Sequence, residues 1–130
     1  MEWEDYDPPS TLVVPETIIT KAKFPFIDVH SHQYRMTPKD LDMRIKEMDA
    51  MNMGIMVNLS GRSGKTLKAM NESIQRSHPS RFVTFANVRF DGADAPDWAE
   101  NAVRQLEQDF LNGAKGLKVY KSLGLSTKRS

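Results

Sequence analysis

From Phe24 onward, short apolar segments alternate with amphipathic segments of helical spacing. The apolar segments predict four strands, at residues 26–30, 54–59, 81–88 and 116–120. The segments between them predict three helices, one from Thr37-Pro38 to a stop at Gly54, the others at residues 66–77 and 96–111. Strands that alternate with helices in this way form βαβ units, whose strands lie parallel in one sheet.

Chain length limits how much of such a fold these residues can build. A closed (β/α)8 barrel takes about 250 residues, whereas this chain has 130 residues and four predicted strands. Two architectures remain: a small doubly wound sheet, or a partial (β/α)8 TIM barrel. Residues 1–23 contain Pro8, Pro9 and Pro15 and predict an irregular N-terminal lead, with a short extended piece at residues 12–14, before the α/β part at residues 24–130.

Composition argues against several classes of function. The formal net charge of +1 provides no strong field for nucleic acid or a membrane surface, and the absence of cysteine removes disulfides, thiolate nucleophiles and Cys-based zinc sites. No apolar run approaches the roughly 18–20 residues of a membrane span. The acidic, Pro-rich N-terminus also lacks the chemistry of a signal peptide. We therefore expect neither nucleic acid nor a membrane as partner, with the cytoplasm as the default location.

Asp28, His30 and His32 follow at a spacing of two at the end of the first predicted strand. Residues at that spacing project from the same face of a strand, and parallel α/β folds place their chemistry at the carboxyl ends of strands. Two neighbouring imidazoles can chelate one divalent ion, and zinc is the first expectation. The alternative is a pair of histidines that are only packed or exposed. His78, at a predicted helix end away from this edge, is not an expected ligand.

The segment FPFIDVHSHQ resembles the opening strand of the amidohydrolase superfamily, whose hallmark is Asp-x-His-x-His at the end of the first barrel strand. The segments MDAMNMGIMVNLSG and GAKGLKVYKSLGL are similar to the amidohydrolase-2 branch, which includes the aminocarboxymuconate-semialdehyde-type decarboxylases. The resemblance covers about residues 24–125. It implies the N-terminal fragment of a (β/α)8 barrel, with about the first four strands and three helices.

The same resemblance implies roles for particular residues. It makes His30 and His32 metal ligands and gives Asp28 the acidic position of the motif, where we expect it to support a ligand. In the family a further His on a later strand and an Asp from the last strand complete the site, so we expect the fragment to be inactive alone. The implied reaction is hydrolysis of an amide, ester or lactone bond in a small-molecule substrate by a metal-activated water. The alternative on the same scaffold is a metal-dependent decarboxylation.

Lys118 lies inside the fourth predicted strand, where alternation puts it on one face with Tyr120, opposite Leu117 and Val119. An unpaired buried ammonium is costly, so Lys118 needs a partner if this strand is central. Some amidohydrolase branches carry a carboxylated, metal-bridging lysine on the fourth strand, and GLKVY is similar to that context. The alternatives are contact with a substrate anion, a salt bridge to a neighbouring carboxylate, or a strand at an open edge.

Residues 61–66, GRSGKT, follow a predicted strand and open a predicted helix, as a phosphate-binding P-loop does. A P-loop has four residues between its glycines, whereas this chain has two, so an ordinary helix start is favoured. Anion binding at that helix N-terminus stays open.

A competing hypothesis for the whole chain is a self-contained four-stranded α/β domain that serves as a non-enzymatic binding module. Its histidines would then be structural. A half-barrel, by contrast, leaves one face of its sheet and two strand edges uncovered, which favours association. For a half-barrel we therefore expect marginal folding and formation of homo-oligomers.

Overall fold

A computed structural model of the chain describes residues 3–125. In these residues four strands alternate with four α-helices, after a short 3-10 helix at Trp3–Asp5. The strands are β1 (Phe26–Ser31), β2 (Met53–Asn58), β3 (Phe82–Asn87) and β4 (Gly116–Lys118). The helices are α1 (Pro38–Met51), α2 (Gly64–Ser77), α3 (Trp98–Leu111) and the one-turn α4 (Ser122–Leu125).

All four strands lie parallel in the order β1-β2-β3-β4, so each strand pairs with its neighbour in the sequence. Right-handed crossovers in such an unbroken order place the connecting helices on one face of the sheet. The sheet is curled, and with its three long helices it forms a half-barrel. The predicted partial (β/α)8 barrel is therefore confirmed. A doubly wound sheet would reverse its strand order and carry helices on both faces.

The hydrophobic core lies between the sheet and the helices. Met56 and Phe82 of the sheet pack in one buried cluster with Leu41 and Met48 of α1 and Ile74 of α2. Strand β3 shows the alternation that this arrangement requires, since every second residue from its start is buried. Within residues 3–125, none of the three long helices covers the opposite face of the sheet, which would line the interior of a closed barrel.

Helix α1 begins where the sequence predicts. The hydroxyl of Thr37 accepts a hydrogen bond from the backbone N–H of Asp40, and the Asp40 carboxylate accepts bonds from the hydroxyl and the backbone N–H of Thr37. This reciprocal capping satisfies donors at the helix start, and Pro38 fits the first helical position. The hydrogen bond from the Thr37 side chain lowers the pKa of the Asp40 carboxyl.

The predicted end of α1 at Gly54 is wrong. The helix ends at Met51 because Asn52 adopts a left-handed conformation, with φ of 67°, and closes the helix through its backbone N–H. Asparagine tolerates this region better than most residues, so it can serve as a helix C-cap in place of glycine. Met53 and Gly54 consequently belong to β2.

Other boundaries differ from the predictions by a few residues. Helix α2 begins two residues earlier than predicted, at Gly64, and β4 ends at Lys118, so Tyr120 lies outside the strand. Ser122–Leu125 form a helical turn after β4, and residues 12–14 form no strand. The long helices have 14 residues each, and no helix within residues 3–125 is long and apolar enough to cross a membrane.

Candidate metal centre

His30 and His32 lie side by side where β1 ends. Their ring centroids are 5.2 Å apart, with an angle of 68° between the ring planes. Both side chains are exposed, whereas Ser31 between them is buried and donates its hydroxyl to the carbonyl of Val57 on β2. The alternation of the strand therefore turns the intervening serine towards β2 and leaves the two imidazoles beside each other in solvent.

The separation of these two rings fits a shared metal ion. Zinc binds imidazole nitrogens at roughly 2.0–2.1 Å with tetrahedral angles, which places the centroids of two rings on one ion about 5 Å apart. The observed 5.2 Å agrees with that value. Within residues 3–125, the ring of His30 has no hydrogen-bond partner and His32 uses only its Nδ1. Each ring thus keeps a nitrogen free for an ion, and neutral imidazole is a ligand that zinc prefers.

Further ligands are not found in the part of the chain that the structure describes. No group of three or more His, Cys, Asp or Glu side chains there could hold a metal ion. The third histidine, His78, caps the C-terminus of α2, and its Nε2 lies 3.1 Å from the carboxylate of Asp42 on α1. Zinc sites take about four ligands, so His30 and His32 could supply at most half of such a site, and metal binding by this pair stays a prediction.

Asp28 contacts the backbone next to the pair. Its carboxylate accepts a hydrogen bond of 2.9 Å from the backbone N–H of His30, and it has no described contact with either imidazole ring. This bond coincides with an irregularity in the pairing of β1 with β2, between Asp28 and Ser31. Asp28 therefore constrains the main chain at His30, and its support of a metal ligand stays a prediction.

A network of hydroxyl groups contacts His32. Its Nδ1 lies 2.8 Å from Oγ of Ser60, and that oxygen lies 2.7 Å from the hydroxyl of Tyr120. The Tyr120 hydroxyl also donates to the carbonyl of Leu59 at 3.0 Å. The rings of Tyr120 and Tyr34 stack with the imidazole at centroid distances of 6.0 and 6.5 Å. Neither Ser60 nor Tyr120 was predicted from the sequence as a residue of the site.

Asn58 joins the ends of β1 and β2 beneath this network. Its side-chain oxygen accepts from the backbone N–H groups of Gln33 and Ser60, and its amide donates to the carbonyl of Gln33. The residue is fully buried. Asn58 thereby fixes the chain on both sides of the contact between His32 and Ser60. Polar residues at the carboxyl end of a parallel strand and just beyond it are the signal that could have identified Asn58 and Ser60, because such positions meet at the functional edge.

Within residues 3–125, Lys118 lies on an edge strand of the sheet. Its partner across the sheet is Asn87, whose side-chain amide donates to the Lys118 carbonyl at 3.2 Å. Lys118 is half-buried, and in the described residues its ammonium group has no hydrogen bond or ion pair. No described contact links it to His30 or His32. The metal-bridging role of Lys118 therefore stays a prediction.

A pocket of about 490 Å³ adjoins the hydroxyl network. Ser60 and Tyr120 line it together with Arg62, Arg89 and Asp91. Two guanidinium groups against one carboxylate give this wall a net positive charge. Arginine recognises carboxylates and phosphates by paired hydrogen bonds, so the pocket suits a small anionic molecule.

The start of α2 already holds an internal anion. The carboxylate of Asp109 on α3, which is buried, accepts a hydrogen bond of 2.7 Å from the backbone N–H of Gly64. A carboxylate at a helix N-terminus satisfies a free donor and interacts favourably with the helix dipole. The P-loop-like segment thus contacts α3 through Gly64, and the Asp109 carboxylate occupies the backbone donor of Gly64.

Comparisons of the chain with protein-family models, with curated proteins and with solved structures found no match. The resemblance of FPFIDVHSHQ to the amidohydrolase superfamily therefore stays a prediction. A functional assignment depends on the barrel-like fold and on the geometry of the pair formed by His30 and His32.

Proposed function

We propose that this chain is the N-terminal part of a metal-dependent hydrolase of the amidohydrolase type, in which His30 and His32 supply two ligands of a zinc ion. The separation of 5.2 Å between the two imidazole rings carries the proposal. Their position at the carboxyl end of β1 supports it, because barrel enzymes carry their chemistry at that end of the strands. The other ligands of the centre would come from later strands of a complete barrel.

Each residue near the pair has a distinct task in this proposal. His30 and His32 would hold a zinc ion, which would supply a strong water nucleophile at neutral pH and polarise a carbonyl group. Asp28 fixes the main chain at His30. Ser60 fixes the ring of His32. The adjoining pocket accommodates a small-molecule substrate whose amide, ester or lactone bond is hydrolysed.

A second candidate is a metal-dependent carboxy-lyase on the same scaffold. Arg62 and Arg89 in the pocket lining favour it, since a decarboxylase must bind a carboxylate substrate. Both reactions would use the same zinc site at His30 and His32, and they differ in their products. Hydrolysis consumes water and yields an acid, whereas decarboxylation releases carbon dioxide.

Calorimetric titration of the chain with zinc tests whether His30 and His32 bind the ion. Loss of a residue that only hydrogen-bonds to a metal ligand weakens metal binding by roughly 10- to 100-fold. We expect His30→Ala and His32→Ala, which remove a ligand itself, each to weaken zinc binding by more than that. His78→Ala is the matched control, because His78 contacts Asp42 away from the pair and its loss should leave the affinity unchanged. Wild-type affinity in both His30→Ala and His32→Ala would contradict the proposal.

Product analysis tests the reaction class. The longest natural polypeptide that contains these residues, supplied with zinc, should hydrolyse a panel of amides, esters and lactones, and His30→Ala should abolish the turnover. Release of carbon dioxide from carboxylate substrates would favour the carboxy-lyase instead. Zinc binding without either reaction would overturn the enzymatic proposal and favour a binding module.

A further inference from the structure

Three polar groups form a continuous chain from the main chain directly after β2 to the imidazole of His32. The carbonyl of Leu59 lies 3.0 Å from the hydroxyl of Tyr120. The Tyr120 hydroxyl lies 2.7 Å from Oγ of Ser60, and that oxygen lies 2.8 Å from Nδ1 of His32. Ser60 is 1% exposed, so its hydroxyl has no ready exchange of partners with bulk water.

The direction of every hydrogen bond in this chain follows from counting protons. The carbonyl of Leu59 only accepts, so the single hydroxyl proton of Tyr120 is donated to it. Tyr120 must then accept from Ser60, which commits the single proton of Ser60. Oγ of Ser60 can consequently only accept from His32, and Nδ1 of that ring must carry a proton.

We infer that Ser60 and Tyr120 are positioning residues that hold His32 in the Nδ1–H tautomer and leave Nε2 as its ligand atom. A free histidine in water prefers the opposite tautomer, so the protein imposes this state. Histidines that bind metals commonly donate their other ring N–H to an acceptor that does not touch the metal. This hydrogen bond fixes the orientation of the imidazole ring and raises the basicity of the metal-binding nitrogen. The consequence for metal binding rests on the proposed function, whereas the tautomer itself exists without a metal.

The stacking contacts around His32 support a fixed ring. Tyr120 stacks at 29° and Tyr34 at 14° to the plane of the imidazole. The backbone N–H of Ser60 is bound at 2.9 Å by the side chain of Asn58, which fixes Ser60 relative to the ring. His30 has no comparable partner within the described residues, so the two histidines of the pair differ in how firmly they are held.

Long-range proton–nitrogen NMR correlation of the metal-free, 15N-labelled chain tests this inference at about pH 8, where an unperturbed imidazole is neutral. We expect His32 to show the Nδ1–H pattern. Tyr120→Phe is the decisive variant, because it keeps the ring but removes the acceptor of the Ser60 proton. That proton should then turn to Nδ1 of His32 and convert the ring to the Nε2–H tautomer.

Metal affinity gives a second measurement. Calorimetric titration with zinc chloride should show binding weakened by roughly 10- to 100-fold in Tyr120→Phe and in Ser60→Ala. Tyr34→Phe is the matched control, since Tyr34 stacks with His32 but its hydroxyl is outside the chain of hydrogen bonds. We expect that variant to keep both the tautomer and the affinity.

The two proposals fail in different ways. An Nε2–H pattern for His32 in the wild-type chain, or an unchanged Nδ1–H pattern in Tyr120→Phe, overturns the role of Ser60 and Tyr120. If the wild-type chain shows the Nδ1–H tautomer of His32 but binds no zinc in the titration, the proposed zinc site is wrong and the role of Ser60 and Tyr120 stands.

Discussion

At the scale of single residues, Asn58 connects more of the candidate site than any residue that the sequence indicated. Its amide group bonds the main chain of Gln33, next to His32, and the main chain of Ser60. Its amide nitrogen also lies 3.4 Å from the sulfur of Met70 in the core. A fully buried polar side chain with every group paired holds its neighbours in one geometry.

Replacing Asn58 by alanine should destabilise the chain and the site together. We expect Asn58→Ala to lower the free energy of unfolding by about 2–4 kcal/mol, because buried main-chain groups lose their partners and a cavity remains. Urea-induced unfolding followed by circular dichroism measures this. Asn101→Ala is the control, since Asn101 is exposed and bonds within α3. Equal unfolding midpoints for Asn58→Ala and the wild type would refute the assigned role.

At the scale of elements, the contact between α3 and the start of α2 determines where the P-loop-like segment lies. Asp109 is 1% exposed and binds both Gly64 and the side-chain amide of Gln105. Gly64 itself has φ of 58°, a conformation that glycine adopts without strain. The helix start therefore depends on a carboxylate from another helix, 45 residues away.

Removing that carboxylate should loosen the first turn of α2. We expect Asp109→Ala to lower the free energy of unfolding by about 1–3 kcal/mol, the cost of leaving a buried donor unpaired. The amide of Gly64 should also exchange its hydrogen faster, which NMR detects. Glu107→Ala, an exposed change on the same helix, should alter neither quantity. Unchanged exchange at Gly64 in Asp109→Ala would show that the bond contributes little.

At the scale of the whole molecule, the curled sheet has one covered and one open face. On β1 the apolar side chains of Ile27 and Val29 are 54% and 69% exposed. β1 and β4 are the edges of the sheet in the described residues, so each has unpaired main-chain groups on one side. An uncovered apolar face and open strand edges promote association between chains.

Sedimentation velocity should therefore show a mass that rises with chain concentration. Val29→Lys, which places a charge on the exposed apolar surface of β1, should reduce this association. Val13→Lys makes the same change in the N-terminal lead, where Val13 is 95% exposed, and should have little effect. A chain that stays monomeric at every concentration, or equal effects of the two changes on association, would contradict a role of the exposed β1 surface in association.

Local patterns in the sequence were sufficient for the fold class. Periodicity gave the order of strands and helices, and short helical connections between strands give parallel pairing. The end of α1 was missed because the apolar stripe continues past Asn52, whereas the left-handed conformation of that residue ends the helix. Element ends depend on single residues and on neighbouring segments, so periodicity alone locates them poorly.

The sequence by itself determined the alternating α/β class and the neighbouring rings of His30 and His32, because both follow from spacing along the backbone. Spacing left a doubly wound sheet and a partial barrel open, and the strand order of the tertiary structure decided for the half-barrel. The tertiary structure alone decided what surrounds His32: Ser60 and Tyr120 are 28 and 88 residues further along the chain than that histidine. The curl of the sheet and the buried amide of Asn58 bring these residues to one place. Contacts of that kind depend on side-chain packing between distant strands, which no local pattern encodes.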